Sequence, residues 1–160
     1  MKKSLIQRSL VAGMVIASLA PAVQAETASS SFQVGVDVRA TCSISAADMT
    51  FNGITTGTTS QNDAASDISV SCSQGAPYAI SLSNGSNFSG GRRMNSGANF
   101  INYVLFQDAT RATNWDQTNT VNFTGNGATR VHTVFGRIPA GQSVPNMGSY
   151  ADTVVATVSY

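Results

Sequence analysis

Of 160 residues, 42% are hydrophobic and only 11% charged, with nine Lys and Arg against eight Asp and Glu. So near-neutral a chain has no basic stripe with which to displace counterions from phosphates, which excludes a nucleic-acid binder. It also disfavours electrostatic attachment to an anionic membrane.

The N-terminus reads as an export signal. Lys2, Lys3 and Arg8 form a positive segment, residues 10–19 a short apolar run, and Val23-Gln24-Ala25 a small-residue cleavage site. Residues 1–25 are therefore expected to be removed, leaving a chain of about 135 residues, the size of one domain. The apolar run is too short for a membrane span, and no later stretch offers the roughly 20 consecutive apolar residues required. A soluble exported protein without direct membrane insertion is expected. Cleavage leaves six Arg against eight acids, a net charge near −2, on a surface of Ser, Thr, Asn and Gly that suits an extracellular β protein.

Residues 32–38 alternate apolar and polar without a break, the period of a strand with one buried face. Phe32, Val34, Val36 and Val38 share one side; Gln33, Gly35, Asp37 and Arg39 share the other. On pattern alone two readings stand level. The segment is the first strand of a self-sufficient sandwich, or it reaches out to complete another molecule.

Residues 41–45 predict a second short strand, followed by 47–51 and a polar loop over 52–67. Residues 67–72 alternate again, Gly75-Ala76-Pro77 turns the chain, and 78–82 returns as a hairpin partner with Tyr78, Ile80 and Leu82 in phase. Cys42 and Cys72 are the only cysteines, and an even pair in an exported chain reads as a disulfide. The competing metal site fails because two cysteines and the single His132 cannot supply four ligands at zinc spacings.

A polar loop over 83–91 leads to Arg92-Arg93-Met94, the arginine pair reading as solvated loop residues rather than an anion site. Residues 100–106 are the most hydrophobic run and predict a central strand buried on both faces for part of its length. A turn around Trp115 and a short strand over 121–123 follow. Residues 129–138 then alternate as Val131, Thr133 and Phe135 against Arg130, His132 and Val134. A loop over 139–148 delivers a last strand, 150–160, with Val154, Ala156, Val158 and Tyr160 on one face. Short strands at this spacing, with turn signals between them and no helix-length amphipathic segment, indicate an all-β antiparallel sandwich.

No catalytic residue, metal or cofactor is expected. His132 has no neighbouring motif, no Gly-x-Ser-x-Gly elbow exposes a serine, and Gly90-Gly91 lacks the Lys and helix of a phosphate loop. Trp115, Tyr103 and Tyr150 are assigned to the core rather than to a sugar platform. Asn84, Asn87 and Asn122 match the glycosylation pattern by chance in a bacterial setting.

The chain ends on a well-formed strand while an alternating strand dangles at its other end. A sandwich short of a strand would expose an apolar groove and two unpaired edges, and a neighbour's strand would cure both.

The ordered set of these segments resembles the spore-coat-protein-U family, the pilins of archaic chaperone–usher fimbriae. The likeness runs through Val36-Asp37-Val38 before Cys42, Val70-Ser71-Cys72, the stretch 75–82, Arg93-Met94, Tyr103-Val104-Leu105-Phe106-Gln107-Asp108, Val134-Phe135-Gly136-Arg137-Ile138 and above all 148–160. The resemblance implies an incomplete immunoglobulin-like sandwich over 41–160, completed by donor-strand complementation, with 26–40 as the donor segment. It selects the second reading of 32–38: Phe32, Val34, Val36 and Val38 become the donor residues. Val154, Ala156 and Val158 become a wall of the acceptor groove. It further implies a homopolymer of neighbouring subunits, a periplasmic chaperone, an outer-membrane usher and a tip adhesin subunit as partners, with passage through the periplasm to a cell-surface fibre. The chain has no room for an extra N-terminal binding domain, so a shaft subunit supporting adhesion or biofilm formation is expected over a tip. A spore or cell coat, and a monomeric carbohydrate-binding module, are the alternatives.

Overall fold

The computed structural model describes residues 24–144 and 146–160, so all but the last two residues of the expected signal lie outside the described residues. The chain divides into two units, Met1–Val36 and Asp37–Tyr160. In the first, residues 24–36 are exposed and belong to no strand.

Among its described residues the second unit holds ten strands: β1 (Cys42–Ala46), β2 (Gly57–Thr58), β3 (Asn62–Cys72), β4 (Pro77–Leu82), β5 (Arg92–Ser96), β6 (Asn99–Phe106), β7 (Val121–Thr124), β8 (Thr129–Ile138), β9 (Ser143–Val144) and β10 (Ala156–Ser159). No helix occurs among the described residues. One sheet runs β1-β3-β8-β6-β5 and a second runs β10-β4-β7, with β2 and β9 as a small ribbon. Every pairing is antiparallel.

Alternation decides what enters the core, because successive side chains on a strand point to opposite faces. Ile68, Val70 and Cys72 of β3, Tyr78, Ile80 and Leu82 of β4, Ile101, Tyr103 and Leu105 of β6, and Val134 and Ile138 of β8 meet between the sheets. Trp115 joins them, fully buried, with Nε1 donating to the Ile80 carbonyl at 3.0 Å. Cys42 and Cys72 face each other in the β1–β3 register and are bonded. Gly136 of β8 has a packing reason to lack a side chain: a Cβ there would overlap Met49 and Phe51, which cross over it.

Five expectations are corrected. β3 begins at Asn62, inside the stretch read as a loop, because a ten-residue ladder to β8 carries its polar half. Arg137 holds Asp63 through two hydrogen bonds of 2.7 and 2.9 Å, and Thr133 donates to Asp67. The turn at 75–77 makes no hairpin. It carries the chain from one sheet to the other, tied to the end of β7 by Gly75 N–H to the Gly125 carbonyl and Gly125 N–H to the Ala76 carbonyl. β6 is fully buried on one face only; on the other Phe100 and Asn102 are exposed and Val104 and Phe106 half-buried. Arg92 is not a solvated loop residue; it opens β5 and is 7% exposed. The last strand is shorter than 150–160: Ala151 bridges Asn95 of β5, and the regular ladder to β4 starts only at Ala156.

Candidate functional site

In an immunoglobulin-like sandwich one sheet carries strands A, B, E and D and the other C, F and G, with F between its neighbours. Here β1, β3, β8 and β6 stand in the order A-B-E-D. β4 and β10 pair as C and F. Among the described residues no strand pairs with the far edge of β10, the G position. β1 is likewise an edge strand, bonded only to β3.

A cleft of about 600 Å³ opens where these edges end, touching Ala46 of β1 and Ala156 of β10. Its apolar lining includes Ile68 of β3, Leu82 of β4, Leu105 of β6 and Val134 of β8, the inward residues of both sheets. One lip is the segment 46–51, which contributes Met49 and Phe51. The other is 150–154 with Ala156. The structure thus brings together Val154 and Ala156, two of the three expected wall residues. Val158 lies outside the cleft lining, paired with Ile80 on β10.

Among the described residues, Asp48 and Asp152 are the only charged side chains in the lining, and both are acidic. Asp152 is tied down: Tyr103 Oη donates to its Oδ2 at 2.7 Å, and Asn87 donates to its Oδ1 from its backbone N–H at 3.1 Å and from Nδ2 at 3.0 Å. Burial raises the Tyr103 phenol well above its ordinary pKa of 10, and the bond to Asp152 adds to the rise, so Tyr103 remains a proton donor. Arg92 lies close by. Its Nε and Nη2 donate to the Ser83 carbonyl (2.9 and 2.6 Å), Nη2 also to Leu82 (3.2 Å), and Nη1 to Trp115 (2.9 Å). Burial lowers its pKa from 12.5, but a guanidinium surrounded by carbonyl acceptors keeps its charge.

Phe32, Val34, Val36 and Val38 are 85–90% exposed and have no ladder partner among the described residues. His132 faces the core, where its Nε2 shares a 3.1 Å hydrogen bond with Tyr78 Oη and its ring lies 4.6 Å from that of Phe123. Burial lowers its pKa from 6.5, and Arg130 lowers it further. Among the described residues no group of three His, Cys, Asp or Glu side chains is placed to hold a metal, and no helix is long and apolar enough to cross a membrane.

Sequence reasoning assigned no role to Met49, Phe51, Tyr103, Leu105, Val134 or Asp152 at this cleft. The alternating spacing of Tyr103 and Leu105 was a usable signal, since both point inward from β6. Met49 and Phe51 carry the same two-residue spacing, but they lie outside any strand and pack across Gly136.

The family model of the Spore Coat Protein U domain matches residues 28–157, and the chain belongs to that family. Protein U of Myxococcus xanthus is 40% identical over 73 residues, which is 43% of this chain and 40% of that protein. A solved structure, the CsuC–CsuE chaperone–tip adhesion subunit pre-assembly complex from the archaic chaperone-usher Csu pili of Acinetobacter baumannii, matches at 27% identity with a TM-score of 0.55. That match covers 77% of this chain and 40% of the chain it is matched to. This chain therefore spans about two fifths of the length of either relative.

Proposed function

We propose that the protein is a non-enzymatic pilin subunit of a chaperone–usher fibre, which polymerises head to tail by strand donation. The observation that carries this reading is the cleft beside the unoccupied edge of β10, lined by inward residues of both sheets. The likeness to a chaperone-usher pilus subunit complex supports it. The proposed occupant is residues 32–38 of a second copy, with Phe32, Val34, Val36 and Val38 facing the cleft and Gln33, Gly35 and Asp37 facing water. Val154 and Ala156 form one wall. Burying four side chains of this type contributes on the order of 6–12 kcal/mol before ordering costs. Ladder bonds to the free edges of β1 and β10 would fix register and add specificity.

Donor and acceptor are different surfaces, so the contact is heterologous and propagates into a filament. On this reading residues 1–25 direct export and 26–40 are the donor segment. A periplasmic chaperone fills the cleft until an outer-membrane usher exchanges it for the next subunit, and a tip adhesin subunit sits at the fibre's end. The mature fibre stands on the cell surface and serves adhesion or biofilm formation. The family's name favours a second destination for the same assembly, a coat around the cell or spore; electron microscopy of producing cells separates fibre from coat.

The test is deletion of residues 26–38 from the mature protein. The truncated subunit should fold and still accept a donor strand, but fail to extend fibres when it is the only subunit supplied. Fibres assembled from truncated subunits alone would overturn the donor assignment. A wild-type protein that stays monomeric at all concentrations and is retained on a glycan column would favour a binding module instead.

A further inference from the structure

Between the bridge Ala151–Asn95 and the pair Ala156–Leu82, the chain crosses from the edge of one sheet to the edge of the other. Residues 152–155 make this crossing without a regular ladder, and residues 150–154 form one lip of the cleft. Such a segment has no intrinsic reason to stay where it is.

What holds it is polar and specific. The carboxylate of Asp152 receives Tyr103 Oη from the floor of the cleft and two donors from Asn87 in the loop behind. The Thr153 carbonyl accepts Ser86 N–H at 3.1 Å. The Val155 N–H donates to Ser83 Oγ at 2.9 Å, and the Val155 carbonyl accepts Ser83 N–H at 2.8 Å. Gly85 sits at φ +84°, and a Cβ there would overlap the Asp152 carboxylate, so the loop is shaped to let that carboxylate in. Tyr103 has its ring in the core and its hydroxyl at the crossing. It works as a strut of fixed length between the five-stranded sheet and the lip.

We infer that Asp152 is a positioning residue of the cleft: through the Tyr103 hydroxyl and Asn87 it keeps the 152–155 crossing off the cleft floor, so that the strand seat is formed before the strand arrives. This rests on the reading that the cleft takes a strand. It assigns to Asp152 and Tyr103 a role in the rate of capture that the apolar wall residues do not have. A preformed seat lowers the ordering cost of binding and speeds association, whereas wall contacts govern release.

The experiment uses the full mature chain and a fluorescein-labelled synthetic peptide of residues 28–40, followed by anisotropy. Tyr103→Phe removes one hydroxyl without changing ring volume, and Asp152→Asn keeps the side chain's shape while losing acceptor capacity. Each is expected to slow association roughly tenfold, the effect of one buried hydrogen bond, with dissociation nearly unchanged. Hydrogen exchange at the Val155 amide should rise in both. Asp63→Ala, which breaks an ion pair with Arg137 outside the cleft lining, should leave association at the wild-type rate. If Tyr103→Phe associates as fast as wild type, or slows only in proportion to a loss of thermal stability shared by Asp63→Ala, the positioning role is wrong and the pilin reading stands. If wild type itself never captures the peptide, both fall together.

Discussion

Arg92 gives the sharpest contrast between what its neighbours in sequence suggest and what its surroundings demand. Its guanidinium serves three carbonyls, those of Leu82, Ser83 and Trp115, at 2.6–3.2 Å. In Arg92→Met the aliphatic stem is largely kept, so the loss is that of the charged donors. Hydrogen bonds to a charged group are worth about 1.5–3 kcal/mol each, and a carbonyl left buried without a partner costs about 1–3 kcal/mol. Met recovers some apolar burial and Ser83 retains partial access to water, which brings the expected net loss to about 3–5 kcal/mol. Against a typical stability of about 5–15 kcal/mol, that is enough to populate unfolded chain. It corresponds to a fall in melting temperature of about 10–20 °C. Arg92→Lys should fall between, since one ammonium cannot span Ser83 and Trp115 together. The assay is urea unfolding followed by the fluorescence of Trp115, whose backbone carbonyl is one of the three acceptors. A solvated arginine would cost no more than about 0.5 kcal/mol on replacement. A loss that small in Arg92→Met would refute the reasoning.

Three further outcomes are expected. Cys42→Ser opens a bridge spanning 30 residues, which the chain-entropy relation values at about 3–4 kcal/mol. The variant should melt well below wild type, and wild type treated with reductant should match it. Stability should decline as pH falls below 6.5, because unfolded chain takes up a proton that buried His132 resists. A group held below its unfolded pKa stabilises above that value and ceases to do so as pH drops through the folded one. Asp63, Asp108 and Asp116, also lowered, act only near and below their ordinary 3.8. Urea midpoints at pH 7.5 and 5.5 should therefore differ in wild type and converge in His132→Leu; a difference that persists unchanged argues against the histidine. Val154→Asp, in the half-exposed cleft wall, should abolish capture of the 28–40 peptide with little loss of melting temperature, and undiminished capture would remove Val154 from the wall.

The sandwich was legible because alternation is a local signal. Tyr78, Ile80 and Leu82, or Tyr103 and Leu105, announce a buried face whatever the strand pairs with. The disulfide was legible from cysteine count and export alone. Arg92 was misread because two adjacent arginines look like solvent, and only the fold shows that alternation sends one inward to three carbonyls and the other outward. Arg93 lies over the Phe100 ring at 3.9 Å, on the face that Phe100 shares with water. The start of β3 was misread for a related reason. Asn62, Asp63 and Ser66 have poor strand propensity, and it is the ladder to β8 and the Arg137–Asp63 pair that make a strand of them.

The closing segment shows where period-2 reasoning stops. Of the four residues grouped on one face, Val154, Ala156 and Val158 pack against the core, while Tyr160 is 62% exposed. Yet a pattern of faces is silent on which sheet supplies the hydrogen bonds. Ala151 answers to β5 and Ala156 to β4. The residues between them are held by backbone and side-chain groups of a loop that is polar but for Phe88: Ser83, Ser86 and Asn87. A cleft between two sheet edges is a property of that change of partner. A straight strand bonded throughout to β4 would leave the acidic lip with Asp152 elsewhere, and Tyr103 would have a buried hydroxyl without an acceptor. The polar loop and the apolar groove therefore belong to one construction, in which the serines and asparagines that look like filler in the sequence fix where the hydrophobic surface stays uncovered.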